Sequence, residues 1–161
     1  MRSVSAHIYW LLGVVALIVF GDEWLKYQSL QRLPDEGSLV DPGVVEFAIH
    51  RNWGIAFNIP FQMGLVILFS VVIGLFLLHI AFQNRERHPD ITFATIMIVF
   101  GAMGNLFDRI VYSFTVDYII LFGRSAINIS DIVIVSGVIL LLLSSRRTKT
   151  HKLIHPDEPV D

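Results

Sequence analysis

The sequence predicts an all-α membrane protein in which four transmembrane helices carry a small outer-surface β-element between helices 1 and 2. Hydrophobic residues make up 54% of the 161 residues and charged residues only 16%, an apolar share above that of soluble domains. Four apolar segments each approach the roughly 17–25 residues that cross a bilayer as a helix. They lie at about 7–26, 61–82, 91–109 and 128–144. We therefore expect one membrane domain over residues 1–145 and a polar cytoplasmic tail over 146–161.

The first segment begins like a signal peptide, because Arg2 precedes an apolar run. The run continues into Asp22, Glu23 and Lys26, however, without the small-x-small pattern of a cleavage site. We therefore expect a retained helix.

The distribution of lysine and arginine predicts the orientation. Four spans place both termini on the same side of the membrane. If the N-terminus is cytoplasmic, seven lysine and arginine residues lie on the cytoplasmic side and five on the outer side. This favours a multi-pass protein with both ends in the cytoplasm.

The first outer connection, residues 27–60, is interrupted by prolines and glycines. Its centre, VVEFAIHRNWGIAFNI, partly alternates apolar and polar residues, which predicts a strand, a turn at Asn52-Trp53-Gly54 and a second strand. The second outer connection, residues 110–127, is rich in aromatic and β-branched residues and is expected to lie in the membrane interface. The polar tail from Ser144 is expected to be disordered or bound to the membrane surface.

Composition excludes several kinds of chemistry. The absence of cysteine removes thiol nucleophiles, disulfides and cysteine–metal sites, and a net charge of −2 gives no basic surface for nucleic acid. The six histidines lack metal-ligand spacing, which disfavours a zinc protease. We expect no metal and no other cofactor. A serine–lysine site is disfavoured because Lys26 has no evident serine partner. The oligomeric state is left open.

The unusual polar residues all fall at the predicted outer ends of the helices or in the outer connections, where a four-helix arrangement can gather them into one pocket. They are Asp22, Lys26, Asn52, Asn105, Asp108, Arg109, Asn128 and Asp131. Asp131 lies three residues into an apolar segment, fourteen residues after Asp117. Because a carboxylate near hydrocarbon is costly, such a residue is a candidate for function, and two together favour acid–base chemistry.

Structural interpretations compete with these assignments. Asp22 and Lys26 are spaced i, i+4 and can form an ion pair on the helix surface. Asn128 or Ser130 can cap the fourth helix, with Asp131 in the first turn favoured by the helix dipole.

Two further interpretations concern the third helix. Arg109 can pair with Asp108 or Asp117 purely to neutralise buried charge. Gly101 and Gly104 can serve only to let helices approach closely.

The segments GAMGNLFDRIVYSFTVDY (101–118) and INISDIVI (127–134) resemble lipoprotein signal peptidase, the bacterial signal peptidase II family of aspartyl intramembrane proteases. Other family motifs are similar to Asp22-Glu23-Trp24-Leu25-Lys26 and to Asn52-Trp53-Gly54-Ile55-Ala56-Phe57. Each motif is weak alone, but the ordered set spans residues 22 to about 134.

The resemblance implies that Asp117 and Asp131 form a catalytic dyad. It implies that Asn105, Arg109 and Asn128 orient the dyad or bind substrate backbone, and that Asn52 and Gly54 shape the pocket. Asp108 is expected to fix Arg109 or cap the third helix. Asp22 and Lys26 are expected to stabilise the fold.

The implied substrate is a prolipoprotein whose signal peptide lies in the bilayer, cut on the N-terminal side of a diacylglyceryl-modified cysteine. The implied location is the bacterial inner membrane among its lipids, with the active site toward the outer face.

The chain departs from the family pattern. Ser113 stands where glycine is usual, Ile127 and Ser130 replace phenylalanine and alanine, and Glu23 and Leu25 replace glutamine and threonine. These changes allow an altered rate or substrate preference.

Two other functions compete. The first is a transporter or channel subunit that couples through Asp131 and Arg109, which predicts polar residues through the bilayer depth or on both sides. The second is a non-catalytic relative that binds lipidated signal peptides, motivated by Ser130 and Ser113.

Overall fold

The computed structural model describes residues 6–38, 43–55, 59–60 and 62–154. Four long helices dominate it, and each is long and apolar enough to cross a membrane. They are α1 (Ala6–Arg32), α2 (Met63–Asn84), α3 (Pro89–Tyr112) and α4 (Ile129–Ile154). The predicted four-helix membrane fold is confirmed.

All four helices end after their predicted last residue, and α1 and α4 extend the furthest. α1 continues to Arg32 and stops two residues before Pro34. It stops there because the residue that precedes a proline disfavours helical geometry. α4 reaches Ile154, so the tail expected to be disordered or surface-bound from Ser144 begins as helix. No glycine or proline interrupts the sequence between Gly137 and Pro156, which lets the helix propagate. Residues 155–161 lie outside the described part of the chain, and the division into domain and tail remains a proposal.

The helices bury polar side chains and expose apolar ones. Asp22, Lys26 and Asp108 are 0% exposed, whereas Phe20 and Phe76 are 76% and 62% exposed. In water this arrangement is unfavourable, but hydrocarbon solvates the outer phenylalanines and the bundle interior shields the charges. The inverted pattern is the packing expected of a bundle in a bilayer.

The predicted close approach at the small residues of α3 is confirmed. A Cβ atom at Gly101 would lie 2.7 Å from both Ile134 Cγ1 and the Ser130 carbonyl oxygen in α4. At Gly104 it would lie 2.6 Å from Ser130 Oγ. The absence of side chains at these glycines therefore lets α3 contact the start of α4.

The β-element is larger than predicted and differently paired. It contains β1 (Val45–Asn52), β2 (Gly54–Ile55), β3 (Ile59–Pro60), β4 (Thr115–Leu121) and β5 (Ser125–Ile127). β1 and the interruption at Trp53 follow the prediction, but β1 pairs with β4, and β2 pairs with β3. β2 has only two residues and is too short to pair along the eight-residue β1. β4 has seven residues and is long enough to do so. The second connection thus folds into two strands.

The three-stranded antiparallel sheet has the order β1-β4-β5 and sits on one end of the bundle. Its register sets His50 opposite Asp117 and Asn52 opposite Thr115. A buried cluster of Ile49, Val116 and Tyr118 packs against α1 and the first residue of α4. The sheet thereby fixes β4 beside the ends of the helices.

Candidate active site

Asp131 is held at the start of α4 by a reciprocal cap. Its backbone N–H donates to Asn128 Oδ1 at 2.9 Å, and the Asn128 backbone N–H donates to Asp131 Oδ2 at 3.2 Å. The other carboxylate oxygen accepts from Asn105 Nδ2 at 2.7 Å. The expectation that Asn128 caps this helix is confirmed, and the cap also fixes the direction of the Asp131 carboxylate.

Asp117 projects from β4 and is 2% exposed. Its Oδ1 accepts from Asn128 Nδ2 at 2.7 Å, and its Oδ2 accepts from Asn52 Nδ2 at 3.2 Å. Asn128 therefore bonds to both carboxylates, through its side chain to Asp117 and through its backbone to Asp131. The two aspartates are brought to one place by a single shared residue.

Both carboxylates line one cavity of about 430 Å³, within the usual range for small-ligand sites. Asn52, Asn105 and Arg109 also line it. Its remaining walls are mostly small or apolar and come from α2, α3, α4 and the sheet: Ser70, Ala102, Thr115, Ser125, Ala126, Ile127, Ile134 and Val135. The cavity therefore places two carboxylates among mostly small or apolar side chains.

Burial and the neighbouring charge of Asp131 raise the pKa of Asp117 to about 7, from an ordinary value of 3.8. Hydrogen bonds from Asn52 and Asn128 oppose this rise because they stabilise the ionised form. Two nearby carboxylates do not both ionise cheaply. Near neutral pH the arrangement can therefore offer one carboxylate and one carboxylic acid.

Arg109 contacts backbone carbonyls. Its guanidinium donates to the Asn105 carbonyl oxygen at 3.3 Å and to the Gly54 carbonyl oxygen at 3.4 Å. No described carboxylate lies within 4.0 Å, and the buried Nε has no partner among the described residues. The interpretation of Arg109 as an ion-pair partner of Asp108 or Asp117 is therefore wrong. Its planar guanidinium, which carries several N–H donors, connects Gly54 of β2 to α3 through these hydrogen bonds instead.

Lys26 is the centre of a buried charge cluster. Its Nζ lies 2.8 Å from Asp108 Oδ2, 2.9 Å from Glu23 Oε1 and 3.5 Å from Asp22 Oδ2. The Asp22–Lys26 pair is confirmed, but both residues are fully buried, so its expected place on the helix surface is wrong.

Asp108 joins this cluster to the sheet. Its Oδ2 also accepts from the Val116 backbone N–H at 3.1 Å. Asp108 therefore contacts Lys26 and β4, and the expectation that it fixes Arg109 is wrong. Asn105 Oδ1 in turn accepts from Lys26 Nζ at 3.2 Å and from Asn128 Nδ2 at 3.1 Å, which links the cluster to the residue that contacts Asp117 and Asp131.

Asp22 anchors the first residues of α4, a role that the sequence did not predict. It accepts from the Ser130 N–H at 2.9 Å, the Ser130 hydroxyl at 2.6 Å and the Ile129 N–H at 3.2 Å. Tyr118 donates its hydroxyl to the same carboxylate at 2.7 Å. The Ser130 hydroxyl therefore makes a hydrogen bond that an alanine at this position could not make. No local signal reveals these contacts, because Tyr118 and Ser130 lie 96 and 108 residues from Asp22.

The sequence model described as signal peptidase (SPase) II matches residues 14–147. The chain belongs to the signal peptidase II family. It is 30% identical over 135 residues to the lipoprotein signal peptidase of Caldicellulosiruptor bescii, covering 83% of this chain and 87% of that protein. It is 31% identical over 150 residues to that of Serratia marcescens, covering 85% of each.

A solved bacterial membrane enzyme has the same fold, with a TM-score of 0.75 at 24% identity over 88% of this chain and 91% of that one. Membership in the signal peptidase II family makes this chain a peptidase and a multi-pass bacterial membrane protein. The transporter or channel interpretation is therefore wrong. The polar groups that it would spread through the bilayer are gathered around one end of the bundle instead.

Proposed function

We propose that this signal peptidase II family member is an aspartic endopeptidase that removes signal peptides from diacylglyceryl-modified prolipoproteins. It cuts on the N-terminal side of the lipidated cysteine. The observation that carries the proposal is the pair Asp117 and Asp131, joined through Asn128 on the wall of one cavity. The relatives in Caldicellulosiruptor bescii and Serratia marcescens bear the name lipoprotein signal peptidase, which supports the substrate class.

In the proposed mechanism Asp117 holds the proton that the pair shares, because burial and Asp131 raise its pKa to about 7. The ionised Asp131 takes a proton from a water molecule between the two side chains, and the water oxygen attacks the scissile carbonyl carbon. Asp117 gives its proton to the carbonyl oxygen, which forms a gem-diol. The C–N bond then breaks as Asp131 returns its proton to the leaving amine and Asp117 recovers one from the diol. No acyl-enzyme forms.

The three asparagines keep these carboxylates in place. The side-chain amide of Asn105 donates to Asp131, and that of Asn128 donates to Asp117. The amide of Asn52 donates to the second oxygen of Asp117. The Asn128 backbone N–H donates to the remaining oxygen of Asp131, so each of the four carboxylate oxygens accepts a hydrogen bond, which limits rotation of the side chains. Arg109 lines the cavity, and its guanidinium makes only two long hydrogen bonds to backbone carbonyl oxygens. Its remaining N–H groups bind carbonyl oxygens of the substrate.

We further propose that the site faces the outer side of the cytoplasmic membrane, with both termini inside, as the lysine and arginine asymmetry predicts. The dyad lies where α3 and α4 meet the sheet, at one end of the spans. There the diacylglyceryl chains can stay in hydrocarbon while the polar scissile bond reaches water.

The test is cleavage by the purified protein of a synthetic precursor with a diacylglyceryl-modified cysteine, with the products identified by mass spectrometry. We expect one cut, directly before the modified cysteine, and much slower cleavage of the unmodified precursor. Cleavage elsewhere, or none, would overturn the proposed activity and favour a non-catalytic binder. Equal rates on the two precursors would overturn the lipid requirement alone.

A further inference from the structure

A second cavity of about 160 Å³ adjoins the catalytic one. Asn52, Ser125 and Ala126 line both cavities, so the two lie side by side. The second cavity adds the polar side chains of Glu36, His50 and Arg124. It is thus a polar extension that begins beside the dyad.

The two cavities differ in where their walls come from. The catalytic cavity is lined partly by Ala102, Ile134 and Val135, which belong to the membrane spans α3 and α4. Every residue that lines the second cavity lies outside the four spans. A polypeptide that enters the catalytic cavity from the bilayer therefore meets the second cavity on the side away from the hydrocarbon.

Two of these three side chains of the second cavity contact each other, and the third has no carboxylate partner among the described residues. His50 Nδ1 lies 2.6 Å from Glu36 Oε1, and because a carboxylate only accepts hydrogen bonds, the ring nitrogen donates. Arg124 is exposed, and no described carboxylate lies within 4.0 Å of it. Glu36 is thus engaged by His50, whereas the guanidinium of Arg124 is open to a ligand.

The wall shared by the cavities is also a sheet edge. β5 is the terminal strand of the order β1-β4-β5, and Ser125 and Ala126 belong to it. An edge strand offers unpaired backbone N–H and C=O groups to an extended chain. A peptide can therefore run along β5 from the dyad to Arg124.

We propose that the second cavity binds the polar segment that directly follows the lipidated cysteine, with the segment extended along β5 and Arg124 selecting acidic side chains. This inference rests on the proposed function and adds a specificity site on the other side of the cleaved bond. The occupant is the substrate itself, because the second cavity adjoins the cavity of Asp117 and Asp131 and lies outside the spans, where the water-soluble part of a precursor must leave.

The test compares three lipidated precursors that carry aspartate, asparagine or lysine at the two positions after the cysteine. We expect the native protein to cleave the aspartate precursor with a kcat/KM about threefold to tenfold above that of the lysine precursor, as befits a partly exposed charge contact. The difference should shrink at high salt. Arg124→Gln should abolish the preference, and Arg124→Glu should reverse it.

Arg51→Glu is the matched control. Arg51 lies on β1 next to His50, so its side chain points to the opposite face, and it pairs with the exposed Asp35 at 2.9 Å. This variant changes the net charge equally and should keep the native preference. Equal kcat/KM values for the three precursors, or an unchanged preference in Arg124→Glu, would overturn the specificity site while cleavage itself continues. Failure to cleave any precursor would overturn the proposed function, and this inference with it.

Discussion

Asn128 and Asp131 cap each other at the start of α4, with the Asp131 N–H 2.9 Å from Asn128 Oδ1 and the Asn128 N–H 3.2 Å from Asp131 Oδ2. The same asparagine reaches Asp117 through its side-chain amide at 2.7 Å. Formation of the helix therefore places one carboxylate and fixes the donor to the other. Asn128 therefore both caps the helix and holds the two aspartates in place.

Substitution of Asn128 should separate these two uses. Asn128→Ala removes the cap and the amide donor, so we expect a loss of about 1 kcal/mol in stability and a fall of about 100-fold in kcat from misplaced reacting groups. Asn128→Ser keeps a capping oxygen but has no amide for Asp117. It should therefore retain most of the stability and still lose the activity. Recovery of kcat by the serine variant would show that the amide does not position the dyad.

Gly101 controls the approach of α3 to α4. A methyl group in Gly101→Ala would meet Ile134 and the Ser130 carbonyl at 2.7 Å, so the helices must separate. We expect a loss of roughly 1–3 kcal/mol, measured by denaturation in detergent. Gly74→Ala in α2 is the control, because nothing lies within 4 Å of its added methyl. Equal effects of the two substitutions would contradict the proposed close contact.

Ser113 adopts a left-handed conformation, with φ 67°, at the C-terminal cap of α3. Its N–H donates to the Arg109 carbonyl oxygen at 3.1 Å, so the conformation closes the helix. Ser113→Gly should raise stability by about 0.5–1 kcal/mol, since glycine adopts positive φ without steric cost. Ser113→Ala keeps the Cβ atom and should give no gain. A thermal shift as large for alanine as for glycine would contradict the backbone explanation.

The raised pKa of Asp117 predicts a pH dependence of stability. The folded protein holds this proton up to about pH 7, whereas the unfolded carboxyl loses it near its ordinary value of 3.8. The stabilisation is therefore complete below about pH 4 and is lost as pH rises through about 7. Asp117→Asn cannot titrate, so its melting temperature relative to the native protein should increase from pH 5 to pH 8. Glu86→Gln, which also removes one carboxylate but at an exposed position, is the matched control. A flat difference for Asp117→Asn would contradict the buried titration.

The sequence predicts the helices and the residues at their ends because both follow from local properties. Long apolar segments require a bilayer, and a carboxylate such as Asp131 beside one of them is conspicuous. The cap at Asn128 is also local, since its partner is three residues away. Ordered motifs then predict which polar residues belong to one site.

The sequence does not predict contacts that depend on the tertiary fold. The partner of β1 lies in the other outer connection, and the alternation of polar and apolar residues carries no information about that pairing. Lys26, rather than Arg109, neutralises Asp108, because both cations are nearby in the bundle and only packing decides which one reaches it. No sequence pattern around Tyr118 indicates a polar partner, yet its hydroxyl donates a hydrogen bond to Asp22.

The most direct test of the dyad is the single-turnover cleavage rate of a lipidated precursor by the native protein, Asp117→Asn and Asp131→Asn. Asparagine keeps the side-chain shape but neither holds nor accepts the transferred proton, so each variant should be about 10²–10⁴-fold slower. Glu86→Gln, which changes an exposed carboxylate between α2 and α3, should cleave at the native rate. A rate within tenfold of native for either aspartate variant would contradict water activation by Asp117 and Asp131.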